Sequence, residues 1–289
     1  LGAGAVRELA ARHAIRPTKT LGQNFLIDPN MARAIAADAE LAPGDHVVEV
    51  GAGLGSLTLP LTATGAAVVA IEFDRSIAPG LHEVVDAVGN VRVVHADAMK
   101  LDWREVLDGS AGDAWTMCAN LPYNISVPLT LRTLEQVPAI VRWVLVVQRE
   151  VGERLVAGAG DEGYGAVSVR RALRASGSLV RRVPSSVFWP RPKVDSIVVR
   201  LDRLSVPPVD VDEASLLRVV DEAFAQRRKT MRNALRRLGA EDATVDRVLA
   251  EAGVRSNARP QEVSLEGFAT ITRLLWDGHG EAAAQATDP

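Results

Sequence analysis

The sequence predicts an α/β fold: a mostly parallel seven-stranded sheet that ends in an antiparallel hairpin, followed by a small all-α C-terminal domain. Three observations carry this reading. Short β-branched runs recur through the first 204 residues, each apolar nearly throughout, as strands are when helices cover both faces of a parallel sheet. The stretches between them are amphipathic and long enough for crossover helices, so the pattern is one of repeated βα units. Beyond "SVPPVDV" (205–211) the strand pattern stops and only helical periodicity continues.

In chain order, "LGQNFL" (21–26) has the composition of a turn before a helix. The strands are "HVVEV" (46–50), "AVVAIE" (67–72), "VRVVHA" (91–96), "AWTMCA" (114–119) and "RWVLVV" (142–147). "SLVRRVPSSVF" (178–188) and "KVDSIVVRLDRL" (193–204), joined by "WPRP", form the antiparallel hairpin. The helices after the linker lie in "DEASLLRVVDEAFAQRRKTMRNALRRLG", "AEDATVDRVLAEAG" and "SLEGFATITRLLWDG", with Asp212 as an N-cap and Gly239 and Gly253 as stops. The expected organisation is a sheet domain over 1–204, a linker over 205–211, a helical domain over 212–279 and a disordered tail over 280–289.

Bulk properties bound the function classes. The chain has 289 residues, 47% hydrophobic and 24% charged, which suits one large globular domain or two. No apolar run approaches the ~20 residues of a membrane span, and "AVRELAARHAIRPTKT" lacks a signal-peptide pattern. Cys118 is the single cysteine, so no internal disulfide can form. A cytoplasmic location is expected. The net charge of −3 selects no partner, but only four of the 33 basic residues are lysine. Codon usage accounts for the arginine bias overall, and RNA contact for particular clusters.

The chemistry gathers where strands end. "VVEVGAGLGSLT" places Gly51, Gly53 and Gly55 directly after the first strand, where glycine lets the backbone approach a ligand and a helix N-terminus. The spacing is G-x-G-x-G and not the G-x-G-x-x-G of pyrophosphate binders. Glu49 adds a carboxylate whose sign suits a cationic ligand such as S-adenosylmethionine. Glu72 closes the second strand, where a carboxylate can accept both ribose hydroxyls. Asp97 closes the third, within reach of an adenine amine. His95 falls inside its strand, and no second histidine stands at metal-ligand spacing, so no metal site is expected.

"NLPY" (120–123) leaves the fourth strand toward the same crevice. An aryl amine such as adenine N6 is a poor nucleophile because its lone pair is delocalised into the ring. Two acceptors aimed at its N–H bonds, the Asn120 side-chain oxygen and the Leu121 carbonyl, would free that lone pair. Pro122 fixes the carbonyl, and Tyr123 offers a ring for stacking.

Together "LGQNFL", "VEVGAGLGSLT", "IEFD", "DA" (97–98), "NLPYNIS" (120–126), "QREV" (148–151) and "VFWPRPKVDS" (187–196) resemble the small-subunit (16S) ribosomal RNA adenine N6,N6-dimethyltransferases, the kasugamycin-sensitivity family. The motifs run in family order over most of residues 17–240. The resemblance implies a class I S-adenosylmethionine-dependent methyltransferase fold, Rossmann-like, with an N-terminal segment that covers the cofactor. It implies cofactor contacts at Asn24, Leu26, Gly51, Gly53, Glu72, Asp97, Ala98 and Asn120, and a target base sandwiched by Tyr123 and Phe188. It implies N6-dimethylation of two adjacent adenosines near the 3′ end of small-subunit rRNA, within an immature 30S particle. Ala52 stands where the family often has proline. No oligomer signal is present, and a monomer is expected.

RNA affinity is expected from Arg227, Arg228, Lys229, Arg232 and Arg236, joined by Arg237. At helical spacing Arg228, Arg232 and Arg236 share a face. Arg181, Arg182, Arg191 and Lys193 extend the basic surface. Two other readings stay open: a macrolide-resistance methyltransferase of large-subunit (23S) rRNA, whose relatives tend to read "NIPY", and a non-catalytic RNA-binding factor on the same scaffold.

Overall fold

The structure is a computed structural model. It describes residues 1–18, 22–107 and 114–284, the side chains of 277–284 excepted. Leu21 of the "LGQNFL" stretch therefore lies outside the described residues. The chain forms two compact units, Leu1–Glu153 with Ala175–Arg203, and Arg154–Arg174 with Leu204–Pro289.

The first unit carries all the strands: β1 (Phe25–Leu26), β2 (His46–Val50), β3 (Ala67–Glu72), β4 (Val91–His95), β5 (Trp115–Asn120), β6 (Ile140–Gln148), β7 (Ala175–Val183), β8 (Phe188–Trp189) and β9 (Ser196–Arg203). Its helices are α1 (Ala3–Arg12), α2 (Pro29–Asp38), α3 (Thr58–Thr62), α4 (Ala78–Val85), α5 (Trp103–Val106) and α6 (Ser126–Gln136), and α7 (Arg149–Val156) leads out of it. Seven strands form one sheet in the order β4-β3-β2-β5-β6-β9-β7. The first five pair in parallel; β9 runs antiparallel to both β6 and β7.

Local chemistry explains these elements. Val47, Val48 and Val50 of β2 are all buried, the burial on both faces that its continuous apolar run requires. Asp28 caps α2 by accepting from the backbone N–H groups of Asn30 and Met31 at 2.8 and 3.0 Å, and Pro29 opens the helix. Trp143 on β6 is fully buried, its indole N–H donating to Thr133 Oγ1 at 3.0 Å under the Arg203 guanidinium. The chain builds β2, β3 and β4 outward on one side, then returns to lay β5 and β6 on the other. The reversal opens a switch point at the carboxyl ends of β2 and β5.

The run 178–188 is not one strand. β7 ends at Val183, and Pro184 supplies no N–H to continue the ladder. After a short turn, β8 pairs antiparallel with β1 in a separate two-stranded sheet, Leu26 opposite Phe188 and Phe25 opposite Trp189.

The second unit is helical: α8 (Ala166–Ala172), α9 (Glu213–Ala225), α10 (Met231–Arg237), α11 (Asp242–Glu251) and α12 (Leu265–Ala284). Its core joins Tyr164 and Val169 to Leu216, Val220, Leu249 and Phe268. Residues 154–174, expected within the sheet domain, thus belong to the helical unit, because the apolar face of α8 is buried against α9. Asp212 caps α9 by accepting from Ser215 N–H at 2.8 Å, and α10 and α11 stop before Gly239 and Gly253. α12 continues to Ala284, where a disordered tail was expected from 280; residues 285–289 lie outside the described residues. Among the described residues no helix is long and apolar enough to cross a membrane.

Candidate active site

A cavity of about 270 Å³ opens at the switch point, lined by residues from the ends of β2, β3 and β5, from residues 96–99 beyond β4, and from 22–26. The glycine turn forms one wall. Gly51 and Gly53 have φ of 75° and 55°, in the left-handed region. A Cβ on Gly53 would sit 3.0 Å from the Phe25 ring, and one on Gly51 3.4 Å from Pro122, so the turn is pressed between the N-terminal segment and the β5 exit.

Glu72 at the end of β3 accepts from Gly53 N–H at 2.8 Å through one oxygen and from Asp74 N–H at 2.9 Å through the other. Burial pushes its pKa up, against those backbone hydrogen bonds. The Phe73 N–H also bears on the carboxylate, so backbone donors orient both oxygens and leave part of its acceptor capacity for a ligand. Asp97 accepts from Met99 N–H at 2.9 Å, with Lys100 Nζ 3.8 Å from its other oxygen. Ala98 beside it is buried and lines the cavity.

Glu49 behaves otherwise than its position in the sequence implies. It is 1% exposed and bonded to Thr58 Oγ1 at 2.6 Å. Burial, opposed by that bond and reinforced by nearby Glu72, raises its pKa to about 8. It is therefore mostly protonated at neutral pH and offers a cationic ligand little charge.

Asn120 is the last residue of β5. Its Nδ2 donates to the Asn24 carbonyl at 3.0 Å, which leaves Oδ1 as the free acceptor of the amide. Asn24 is itself held by its Nδ2 bond to the Gly22 carbonyl at 3.1 Å. Leu121 N–H donates to the Val146 carbonyl at 3.2 Å, tying the exit to β6. Among the described residues none donates to the Leu121 carbonyl. The Tyr123 hydroxyl lies 3.2 Å from Ser196 Oγ, and burial raises its pKa. Asn24, Leu26, Gly51, Gly53, Glu72, Asp97, Ala98, Asn120, Leu121, Pro122 and Tyr123, all singled out in the sequence, line this one cavity.

Phe188 does not. It is 3% exposed and packs with Leu26, Val183, Val187 and Val198, because β8 is drawn into the β1 pairing. Conversely, Gln23, Ser56, Phe73 and Asp74 line the cavity without having been singled out as site residues. All four fall inside the motifs that carry the resemblance, Gln23 in "LGQNFL", Ser56 in "VEVGAGLGSLT", and Phe73 and Asp74 in "IEFD", but no local rule gives any of them a role.

The arginine cluster also departs from expectation. The chain leaves helical geometry at Gln226 and re-enters it at Met231, so Arg227, Arg228 and Lys229 lie in the break and share no helix face with Arg232 and Arg236. Arg232 pairs with Asp246 and Asp242, Arg236 with Asp242, and Arg237 with Glu222. Arg227 donates to the Tyr164 carbonyl at 2.8 Å. Among the described residues, exposed Arg228 and Lys229 have no acidic partner.

Residues 15–277 match the family description "Ribosomal RNA adenine dimethylase". The chain belongs to that family. Relatives named ribosomal RNA small subunit methyltransferase A include those of Moorella thermoacetica, 42% identical over 94% of this chain and 97% of that protein, and of Streptomyces coelicolor, 45% identical over 94% and 95%. Among solved structures, the 23S rRNA methyltransferase ErmE is 27% identical with a TM-score of 0.68, over 87% of this chain and 99% of that one. A dimethyladenosine transferase from Plasmodium falciparum shares the fold, with a TM-score of 0.73 at 24% identity, over 89% and 98%.

As a ribosomal RNA adenine dimethylase, the protein is a methyltransferase of class I fold that uses S-adenosylmethionine. The cavity fits that donor. Glu72 presents two oriented oxygens, and Ser56 Oγ, on a residue only 6% exposed, has no hydrogen-bond partner among the described residues and awaits one from a ligand.

Proposed function

We propose that the protein dimethylates the N6 amines of two adjacent adenosines near the 3′ end of small-subunit rRNA, acting as a monomer on an immature 30S particle in the cytoplasm. One observation carries the reading. The Asn24 carbonyl takes the Asn120 amide N–H, so Oδ1 is left to accept beside the unengaged Leu121 carbonyl. Bound S-adenosylmethionine supplies an electrophilic methyl group. Glu72 holds its ribose, Asp97 and Ala98 its adenine, and Gly51, Gly53, Asn24 and Leu26 enclose it.

Asn120 Oδ1 and the Leu121 carbonyl accept the two N–H bonds of the target amine and draw its lone pair out of ring conjugation. Because these acceptors are held before the substrate arrives, they need no reorganisation during the reaction. Each transfer breaks the carbon–sulfur bond of the sulfonium, leaving a thioether, and the methylated amine releases one proton to solvent; after the first, a single N–H remains, and either acceptor can hold it for the second transfer. Tyr123 stacks on the base, which must leave its own stack to enter. Stacking on one ring returns ~1–3 kcal/mol, comparable with that cost. Arg228 and Lys229 supply phosphate contacts, with Arg227 beside them, and Arg232 and Arg236 contribute less because their charges are already paired.

The identity of 42–45% with small-subunit enzymes, against 27% with the 23S enzyme, favours the small-subunit target. The test is methyl transfer from labelled donor to undermethylated 30S subunits, mature 30S subunits and 23S rRNA. Incorporation of four methyl groups per undermethylated 30S particle is expected (two on each of two adenosines). Incorporation into 23S rRNA alone would overturn the proposal.

A further inference from the structure

Gln23 sits where three parts of the site meet. Its Nε2 donates to Asp74 Oδ2 at 2.7 Å, and its Oε1 accepts from Thr18 N–H at 2.7 Å. Its own N–H reaches the Thr18 carbonyl at 3.3 Å. Asp74 accepts from the Ser76 N–H and hydroxyl at 2.9 and 2.7 Å, and its N–H donates to Glu72 Oε1 at 2.9 Å. The other Glu72 oxygen holds Gly53 N–H. An unbroken path of hydrogen bonds thus runs from the N-terminal segment through Gln23, Asp74 and Glu72 to the glycine turn, joining residues 51 positions apart at its first link.

The anchoring of α1 does not depend on this path. Val6, Leu9 and Ala10 bury its apolar face, and His13 pairs with Glu83 at 2.6 Å. Loss of Gln23 therefore frees the turn around residue 23 without releasing the helix. Burial works against ionisation of Asp74, but the hydrogen bonds from Ser76 and Gln23 outweigh it and hold its pKa below the usual carboxylate range. Gln23 thus meets a charge, which makes its bond stronger than one between neutral groups.

We infer that Gln23 is a positioning residue for the methyl-donor site: it latches the N-terminal segment to Asp74 and, through Asp74, fixes the orientation of Glu72. This rests on the reading of the cavity as the donor site. The latch makes donor affinity, rather than the chemical step, the quantity that Gln23 controls.

The experiment uses the full chain and S-adenosylmethionine, with affinity from isothermal titration calorimetry and kcat and KM from methyl transfer to undermethylated 30S subunits. Gln23→Ala is expected to weaken donor binding about 10–100-fold, the scale of one hydrogen bond to a charged group, and to raise KM for the donor in step while kcat falls less than about threefold. Gln23→Glu sets two carboxylates against each other and weakens binding further. Adding Asp74→Asn to Gln23→Glu restores the geometry with donor and acceptor exchanged, since the new amide donates to the new carboxylate while Thr18 and Ser76 keep their acceptors. The double variant should recover most of the affinity, a rescue that a merely structural role would not produce. Wild-type affinity in Gln23→Ala, or a double variant no better than Gln23→Glu, overturns the latch and leaves the donor site standing. Failure of the wild-type chain to bind S-adenosylmethionine overturns both.

Discussion

At the ends of β3 and β4 the acids Glu72 and Asp97 accept from backbone N–H groups, whereas in the helical unit Asp242, Asp246 and Glu222 accept from arginine side chains. The first arrangement holds a carboxylate in place at the cavity wall with groups that cannot leave. The second neutralises charge with flexible partners that a phosphate could replace. An acid fastened to backbone is part of a preorganised site; an arginine fastened to an acid is a charge held in reserve. Sequence counting treats the two alike, and only the partners tell them apart.

The largest effect is expected at Asn120. Replacement by Ala should lower kcat about 10²–10³-fold, the cost of losing one preorganised acceptor, while donor affinity stays within a few-fold of wild type. Unchanged turnover would show that the β5 exit does not serve the reacting amine. Next comes Glu72→Ala, for which donor affinity should drop about 10–100-fold, since two hydrogen bonds of ~0.5–1.5 kcal/mol each are lost together. Titration of the donor without RNA checks this, and wild-type affinity would remove Glu72 from the site.

In the helical unit two paired variants separate free from paired arginines. Arg228→Gln with Lys229→Gln should weaken binding to small-subunit RNA about 5–10-fold and lower the salt slope by about 2. Arg232→Gln with Arg236→Gln should change affinity less than about twofold at the same salt. Equal effects would mean that the aspartate pairs open freely and that the distinction between free and paired arginines is empty.

The smallest effect concerns Glu49. Its pKa rises on folding to about 8 from an ordinary 4.5. The folded state therefore holds a proton that the unfolded chain has released across that window. The stability of the neutral form is whole below about pH 4.5 and is lost as pH rises through about 8. Glu49→Gln removes the titration, so its melting temperature should match wild type near pH 5 and exceed it by at least ~3 °C near pH 8.5. Parallel curves at both pH values would mean that Glu49 carries its charge in the fold.

The strands, the glycine turn and the acids at the strand ends are legible in the sequence, because these follow from local rules: apolar runs, turn residues and the place where a run stops. So is the exit of Asn120 to Tyr123 from a central strand. Tertiary structure alone decided the rest. That the Asn120 amide turns its N–H to Asn24 depends on a contact 96 residues away. That Phe188 is a core residue follows from β8 pairing with β1, and that Glu49 is protonated follows from its burial. That Arg232 and Arg236 are paired follows from where α11 places Asp242 and Asp246. Local propensity sets which residues end an element, but the environment of a side chain is set by what the rest of the chain packs against it.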